Sequence, residues 1–460
     1  MKKNVFKWLA MGVMSLTSLQ AAEKPNIVIL YSDDAGYADF GFQPNCAEDM
    51  KQLTPHIDTI ARDGVRLTNA YMSGCVCSPS RAGLMTGRYQ QRFGYDNNLP
   101  PGHQNGVDLN ETFGVKRLQK MGYRTGLIGK WHLGYPEEMH PNKRGYDWFY
   151  GLLQGSRGYF PYEKPSPHRV ILDNDKPTKE EGYITDRLGT AACRFIKENK
   201  DKPFYLFVSF TSPHGPLQPK KEDLKRLEHI TGKGRKNYAG LVVSLDDNVG
   251  KILKVIKESG LEGNTIVIYT NDNGGQTALG ANNTPLKGKK GTLWEGGVRV
   301  PWAMRWPDKI KPGSVIDDPI ISLDILPTFI EASGNAVVSD WKLDGRSFLP
   351  LLTGEKSSLP VRALHWRQHG SKGSISIREG KWKLIHNRNE AGAAPELYDL
   401  SKDISESNNL ASEHPEVTKK LTSKMKVWES QMKEPLWGAG SAKKPLGQAK
   451  PKKKKSKKNK

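Results

Sequence analysis

Three short runs of this chain are apolar without interruption: Asn26 to Tyr31 (NIVILY), Phe204 to Phe210 (FYLFVSF) and Thr265 to Tyr269 (TIVIY). An alternating pattern would leave one face of a strand in water. Continuous β-branched and aromatic residues instead call for burial on both faces, as in a parallel sheet covered on either side. Helical patterns lie between the runs, notably Pro55 to Arg62, with Gly64 in the position of a C-cap, and Tyr238 to Glu258, ended by Ser259-Gly260. Strands alternating with helices predict an α/β fold, a large mostly parallel sheet sandwiched by helices. Near residue 350 the texture changes. Ala363 to Arg367, Ser374 to Ile377 and Trp382 to Ile385 are short and separated by Gly-rich turns, which predicts a smaller C-terminal domain of antiparallel sheet. A helix from about Glu413 to Gln431 would pack on it.

The two ends of the chain carry different signals. Lys2, Lys3 and Lys7 precede an apolar run from Trp8 to Leu19, with Ala21 and Ala22 after it. That run is too short to span a bilayer, so residues 1–22 read as a cleaved export signal and not as a membrane anchor. The mature protein is therefore expected to be periplasmic or secreted. Of the formal charge of +21, ten positive charges are lysines between Ser441 and Lys460. This tail has almost nothing apolar to bury and is expected to be disordered. It serves either as a solubilising tail or as a loose adhesive for polyanions, and in an exported protein those are sulfated or carboxylated glycans before nucleic acid. Only Cys46, Cys75, Cys77 and Cys193 are present, too few for a disulfide-built scaffold.

Ligands of open α/β sheets collect beyond the carboxyl ends of the strands. Asp33 and Asp34 follow the first apolar run, Lys130 and His132 follow Thr125 to Gly129, His214 follows the run at Phe204, and Asp272 and Asn273 follow the last. Paired carboxylates matched by an Asp-Asn pair can make an all-oxygen site for a hard cation. Calcium fits best and magnesium next; zinc fits poorly, because no His or thiolate cluster shares the spacing. Asp246-Asp247 is a useful control, since it lies in an amphipathic helix and reads as surface carboxylates. Cys77 begins Cys-Ser-Pro-Ser-Arg, a good helix start, so it should sit just ahead of a helix N-terminus that favours an anion. The residues alone leave a low-pKa thiol nucleophile open there.

The segment CSPSRAGLMTGR, from Cys77 to Arg88, resembles the signature of the type I sulfatases, of the alkaline phosphatase-like superfamily, in which the cysteine is oxidised to formylglycine. Further family features recur in order: Asp33-Asp34, GLIGKWHLG at Gly126 to Gly134, SPHGPLQ at Ser212 to Gln218, NDNGG at Asn271 to Gly275, and PLKGKKGTLWEGGVRVP at Pro285 to Pro301. ELYDL at Glu396 to Leu400 and Asn409-Leu410 resemble the family's C-terminal subdomain. Gly126 stands where Ala is commoner and Asn271 where Ser is commoner, and neither removes a functional side chain. The division this implies is a signal peptide at 1–22, a catalytic domain at 23–345, a C-terminal subdomain at 346–440 and the Lys-rich tail at 441–460.

The resemblance implies roles. One hydroxyl of a hydrated aldehyde at residue 77 attacks sulfur, and the other then loses its proton to expel sulfate, so the nucleophile clears itself. Asp33, Asp34, Asp272, Asn273 and the modified Cys77 would hold one calcium ion. Arg81 and Lys130 would hold the formylglycine hydroxyls, and Lys290 would meet the sulfate from the leaving-group side. Lys287 and Lys289 are decoys, because the family lysine directly precedes Gly-Thr. His214 would protonate the departing alcohol and His132 would take the proton that collapses the sulfated hydrate. His56, His103 and His140 lack such support. Ser156 is a further candidate sulfate contact, and a formylglycine-generating maturation enzyme in the host is an implied partner. Export and a basic surface point to sulfated polysaccharide or oligosaccharide fragments as substrate. Residues from Arg157 to His168, with His365, Arg367 and His369, are candidates for reading the sugar. The rival readings are a phosphatase or phosphodiesterase of the same fold and a non-catalytic binder of sulfated glycans.

Overall fold

The three apolar runs become adjacent strands at the centre of one sheet. In the computed structural model, which describes residues 24–441, the strands are β1 (Asn26–Ser32), β2 (Val65–Leu67), β3 (Ala70–Tyr71), β4 (Arg124–Lys130), β5 (Trp148–Leu152), β6 (Leu172–Asp173), β7 (Lys176–Pro177), β8 (Phe204–Ser209), β9 (Thr265–Asn271), β10 (Trp302–Arg305), β11 (Ser314–Ile316), β12 (Ile320–Ile321), β13 (Ala363–Arg367), β14 (Ser374–Glu379), β15 (Trp382–Asn387) and β16 (Glu396–Asp399). The helices are α1 (Pro55–Arg62), α2 (Cys77–Thr86), α3 (Gly114–Lys120), α4 (Ile184–Glu198), α5 (Lys221–Lys225), α6 (Lys233–Glu258), α7 (Glu295–Val298), α8 (Ile325–Ala332), α9 (Leu349–Leu352) and α10 (Pro415–Glu429). The expected export signal and all but the first residue of the Lys-rich tail lie outside the described residues.

Ten strands form the main sheet, in the order β11-β2-β10-β9-β1-β8-β4-β5-β6-β7. β1 pairs in parallel with both β8 and β9, and β4 in parallel with β8 and β5, while β10, β6 and β7 run antiparallel to their neighbours. Side chains alternate between two cores. Ile27, Ile29 and Tyr31 face α2, α3 and α8, whereas Val28 and Leu30 face α1, α4 and α6. That two-sided burial explains why these strands show no polar alternation. Strands β13 to β16 form a separate antiparallel sheet, on which Leu421, Met425 and Trp428 of α10 pack. Among the described residues, no helix is long and apolar enough to cross a membrane.

Some local expectations are corrected. Helix α1 ends at Arg62 with Asp63 as its C-cap, and Gly64 is no left-handed cap; a β-carbon there would lie 2.1 Å from the carbonyl oxygen of Met304, so close backbone approach is what requires glycine. Helix α6 starts at Lys233, five residues before the apolar periodicity becomes visible at Tyr238. Asp246 is no surface carboxylate: it is fully buried and accepts the backbone N–H groups of His56 (3.2 Å) and Ile57 (2.8 Å) in the first turn of α1.

Candidate active site

The parallel strands deliver their carboxyl ends to one place. Asp33 and Asp34 follow β1, Lys130 closes β4, His132 lies two residues on, and Asp272 and Asn273 follow β9. Asp34 and His132 have left-handed backbones (φ 65° and 59°), a conformation that Asp and His adopt more readily than most residues. Cys77 is the first residue of α2, one position further into the helix than the sequence implies, with Val76 as the N-cap. Every residue of α2 is buried, and the Cys77 sulfur lies 3.6 Å from Asp33 Oδ1 and 3.9 Å from Asp34 Oδ1.

Three cations face the three carboxylates. Lys130 Nζ donates to Asp33 Oδ2 (2.6 Å), Lys290 Nζ to Asp34 Oδ2 (2.7 Å) and Arg81 Nη2 to Asp272 Oδ2 (3.0 Å). Arg81 is further fixed by the Lys130 carbonyl (3.1 Å) and the Ser209 hydroxyl (2.5 Å). Burial opposes the charge on Asp272, but Arg81 and Lys130 outweigh it and hold its carboxyl well below the usual range. Asp33 is pushed up by burial and by repulsion from Asp272. Burial also raises the Cys77 thiol, with Asp272 adding to it, so the unmodified side chain is a poor nucleophile by itself.

These donors suit a hard cation. Asn273 Oδ1 is buried with no hydrogen-bond partner, while its Nδ2 donates to Asp34 Oδ1 (2.9 Å), so an amide oxygen is left over for a ligand. Ligand atoms of Asp33, Asp34, Cys77 and His214 lie within 4.8 Å of one another. One histidine and the Cys77 thiol therefore stand beside the two carboxylates. The profile of the family described as Sulfatase matches residues 25–335.

The chain belongs to the sulfatase family.

Residues 289–431 match a second description, N-sulphoglucosamine sulphohydrolase, C-terminal. The chain is 29% identical to the uncharacterized sulfatase YdeN of Escherichia coli (strain K12), over 91% of this chain and 88% of that one. Among solved structures it is similar to Ps i-CgsB in complex with k-i-k-neocarrahexaose (TM-score 0.86, 34% identity, 91% of this chain and 96% of that one). It is also similar to a sulfatase structure from work on the metabolism of multiple glycosaminoglycans by Bacteroides thetaiotaomicron (TM-score 0.73, 25% identity, 89% of this chain and 100% of that one). It is thus a sulfuric ester hydrolase, with a mostly parallel main sheet and a small antiparallel C-terminal one.

Both histidines of the sulfatase site are oriented by carbonyl groups, which fixes their tautomers. His214 Nδ1 lies 2.6 Å from the Gly215 carbonyl and so carries hydrogen, leaving Nε2 to face Asp34 Oδ2 at 3.5 Å. His132 Nε2 lies 3.1 Å from the Leu99 carbonyl, which leaves Nδ1 buried with no partner. Burial, with Lys130 next, pushes the His132 pKa well down and keeps the ring neutral.

Other candidates part from the site. Arg157 is buried against Glu180 (2.8 Å) and Arg367 against Asp96 (2.8 Å), so neither guanidinium is free to read a sugar, while His365 stacks on Trp428 with ring centres 4.9 Å apart. His369 remains half-buried, its Nδ1 2.5 Å from Asn97 Oδ1, beside Asn98, whose side chain accepts the N–H of Ser78 (3.0 Å). Ser156 adjoins Gly155, where a β-carbon would strike the His132 ring. Lys289 is exposed, and His56, His103 and His140 make only local or peripheral contacts. Asn271 turns out to matter: its Oδ1 accepts from Ser32 Oγ (3.0 Å) and Ala35 N (3.1 Å), lacing the turn that holds Asp33 and Asp34 to the end of β9.

Proposed function

We propose that this sulfatase removes sulfate from sulfated oligosaccharide or polysaccharide fragments, using a formylglycine made from Cys77 and one calcium ion. The placement of Cys77, at the start of a buried helix with its sulfur against Asp33 and Asp34 and with Arg81, Lys130 and Lys290 around it, carries the reading. Asp33, Asp34, Asp272, Asn273 and the side chain at 77 would hold the ion. When bound, the ion supplies Lewis-acid charge against an anionic ester, and the formylglycine supplies a hydrated aldehyde as nucleophile. Since the three carboxylates are already offset by three cations, the loaded pocket carries a net positive charge and favours an anion.

The chain's own groups then divide the work. Lys290 meets the sulfate, and Arg81 and Lys130 hold the hydroxyls at residue 77. His214 presents Nε2 to the departing alcohol as general acid, and His132 presents Nδ1 to the proton that must leave residue 77. Glycan substrates are supported by the chain's formal charge of +21 and by the neocarrahexaose held in the similar Ps i-CgsB complex. Export to the periplasm or medium and a host maturation enzyme follow from the same reading. A phosphatase of this fold would need a second metal site beside the first; among the described residues, the only other grouping of metal-ligating side chains is His56, Asp246 and Asp247 on α1 and α6.

Mass spectrometry of the peptide holding residue 77, from a host with a maturation enzyme, should show a loss of about 18 mass units. Cys77→Ala should release no sulfate. An active protein with an intact thiol would end the formylglycine reading. Turnover of aryl sulfates with none on carrageenan or glycosaminoglycan oligosaccharides would end the glycan one.

A further inference from the structure

Lys290 reaches Asp34 from a loop whose own supports lie outside the site. Within that loop, Lys290 N–H donates to the Gly275 carbonyl (3.2 Å) and Gly291 N–H to the Cys75 carbonyl (2.8 Å), two residues before Cys77. Its far end is held by the C-terminal part of the chain. Lys383 of β15, fully buried, bridges Glu295 Oε1 (2.9 Å) and Glu406 Oε1 (2.8 Å), and Glu406 Oε2 accepts the backbone N–H of Glu295 (2.7 Å). At the near end, Lys287 Nζ sits 3.6 Å from the centre of the Trp294 ring and donates to the Glu406 carbonyl (3.2 Å). Glu295, Glu406 and Lys383 are ionisable groups withdrawn from water, with burial pushing Glu406 up to about 7, a costly arrangement that a well-packed apolar cluster could replace without loss of stability. Such a cluster could not aim the loop in one direction through hydrogen bonds.

We propose that the small C-terminal sheet sets the sulfatase site's grip on sulfate, with Lys383 and Lys287 as positioning residues that hold the Lys290 loop at the distance where its ammonium meets the anion. Lys287 thereby gains a role that the motif alone denies it. The inference rests on Lys290 binding sulfate, as proposed above.

Lys287 is the better probe, because it is only partly buried and its removal strands no buried charge. In the matured full-length enzyme, Lys287→Met should raise KM for a small aryl sulfate and weaken inhibition by inorganic sulfate, each by about tenfold, a coupling of the size seen between contacting residues. In a Lys290→Ala background the same substitution should change neither quantity. Equal losses in both backgrounds, or no loss in the first, overturn the proposal. If Lys290→Ala itself leaves sulfate inhibition unchanged, Lys290 does not bind sulfate, and the reading of the site fails together with this inference.

Discussion

His214 and His132 differ in which nitrogen is left free, and the difference suits the separate roles proposed for them. A carbonyl group occupies His214 Nδ1 and another occupies His132 Nε2, so each ring offers one atom to the reaction. His214→Ala should cost about 10²–10⁴-fold in kcat on a sugar sulfate, whose alcohol leaves poorly without a proton. On 4-nitrophenyl sulfate, whose phenolate leaves unaided, the loss should be far smaller; equal losses in steady-state kinetics on the two esters would remove the general-acid role. The sequence made the acidic, basic and imidazole side chains legible because they follow apolar runs and lie in dense motifs. It could not reveal the Leu99 carbonyl or the Ser209 hydroxyl that orient His132 and Arg81, since a backbone carbonyl has no residue signature and Ser209 sits inside an apolar run that reads only as a buried strand. Arg157 and Arg367 misled for a related reason: a guanidinium looks the same in sequence whether it faces a ligand or an internal carboxylate.

Among the elements, the strands buried on both faces were the most legible, because a short run that is apolar at every position is stable only where both of its faces are covered. Helix ends were less so. α6 begins at Lys233 in a polar stretch whose helicity leaves no hydrophobic period to read, and Gly64 is required by the Met304 carbonyl, which is 240 positions away. Asp246 shows how helices α1 and α6 are tied together: its carboxylate takes two N–H groups that the start of α1 cannot satisfy internally. Asp246→Ala should therefore destabilise the protein by about 1–2 kcal/mol, as the loss of a helix cap does. Urea denaturation of the variant and the parent tests this; an unchanged midpoint and slope would show that the bond contributes nothing.

At the scale of the molecule, the site is also a fastener. It joins the ends of β1, β4 and β9 to the start of α2, so a ligand there binds only the folded chain. Calcium at a hundredfold excess over its Kd should add about 2.7 kcal/mol of stability. Chelation should accordingly lower Tm, and calcium should restore it; recovery with zinc but not calcium would reassign the ion. The division into a large parallel and a small antiparallel sheet was visible from the change in run length near residue 350, but the buried charges that bind the two, Lys383 among them, were not, because nothing in sequence pairs a β15 lysine with glutamates at 295 and 406. Cys77 opens a helix with no exposed residue, beyond the reach of any second protein once the sheet has closed. The sheet cannot close early: β1 needs β9 beside it, and Asn271 lies 194 positions after Cys77. At ordinary speeds of synthesis that interval lasts roughly 10–40 s. If the thiol is oxidised as proposed, the late arrival of a central strand is the clock that keeps residue 77 open to its modifier, and any change that hastened collapse of the nascent chain would fill the cell with well-folded, permanently silent enzyme.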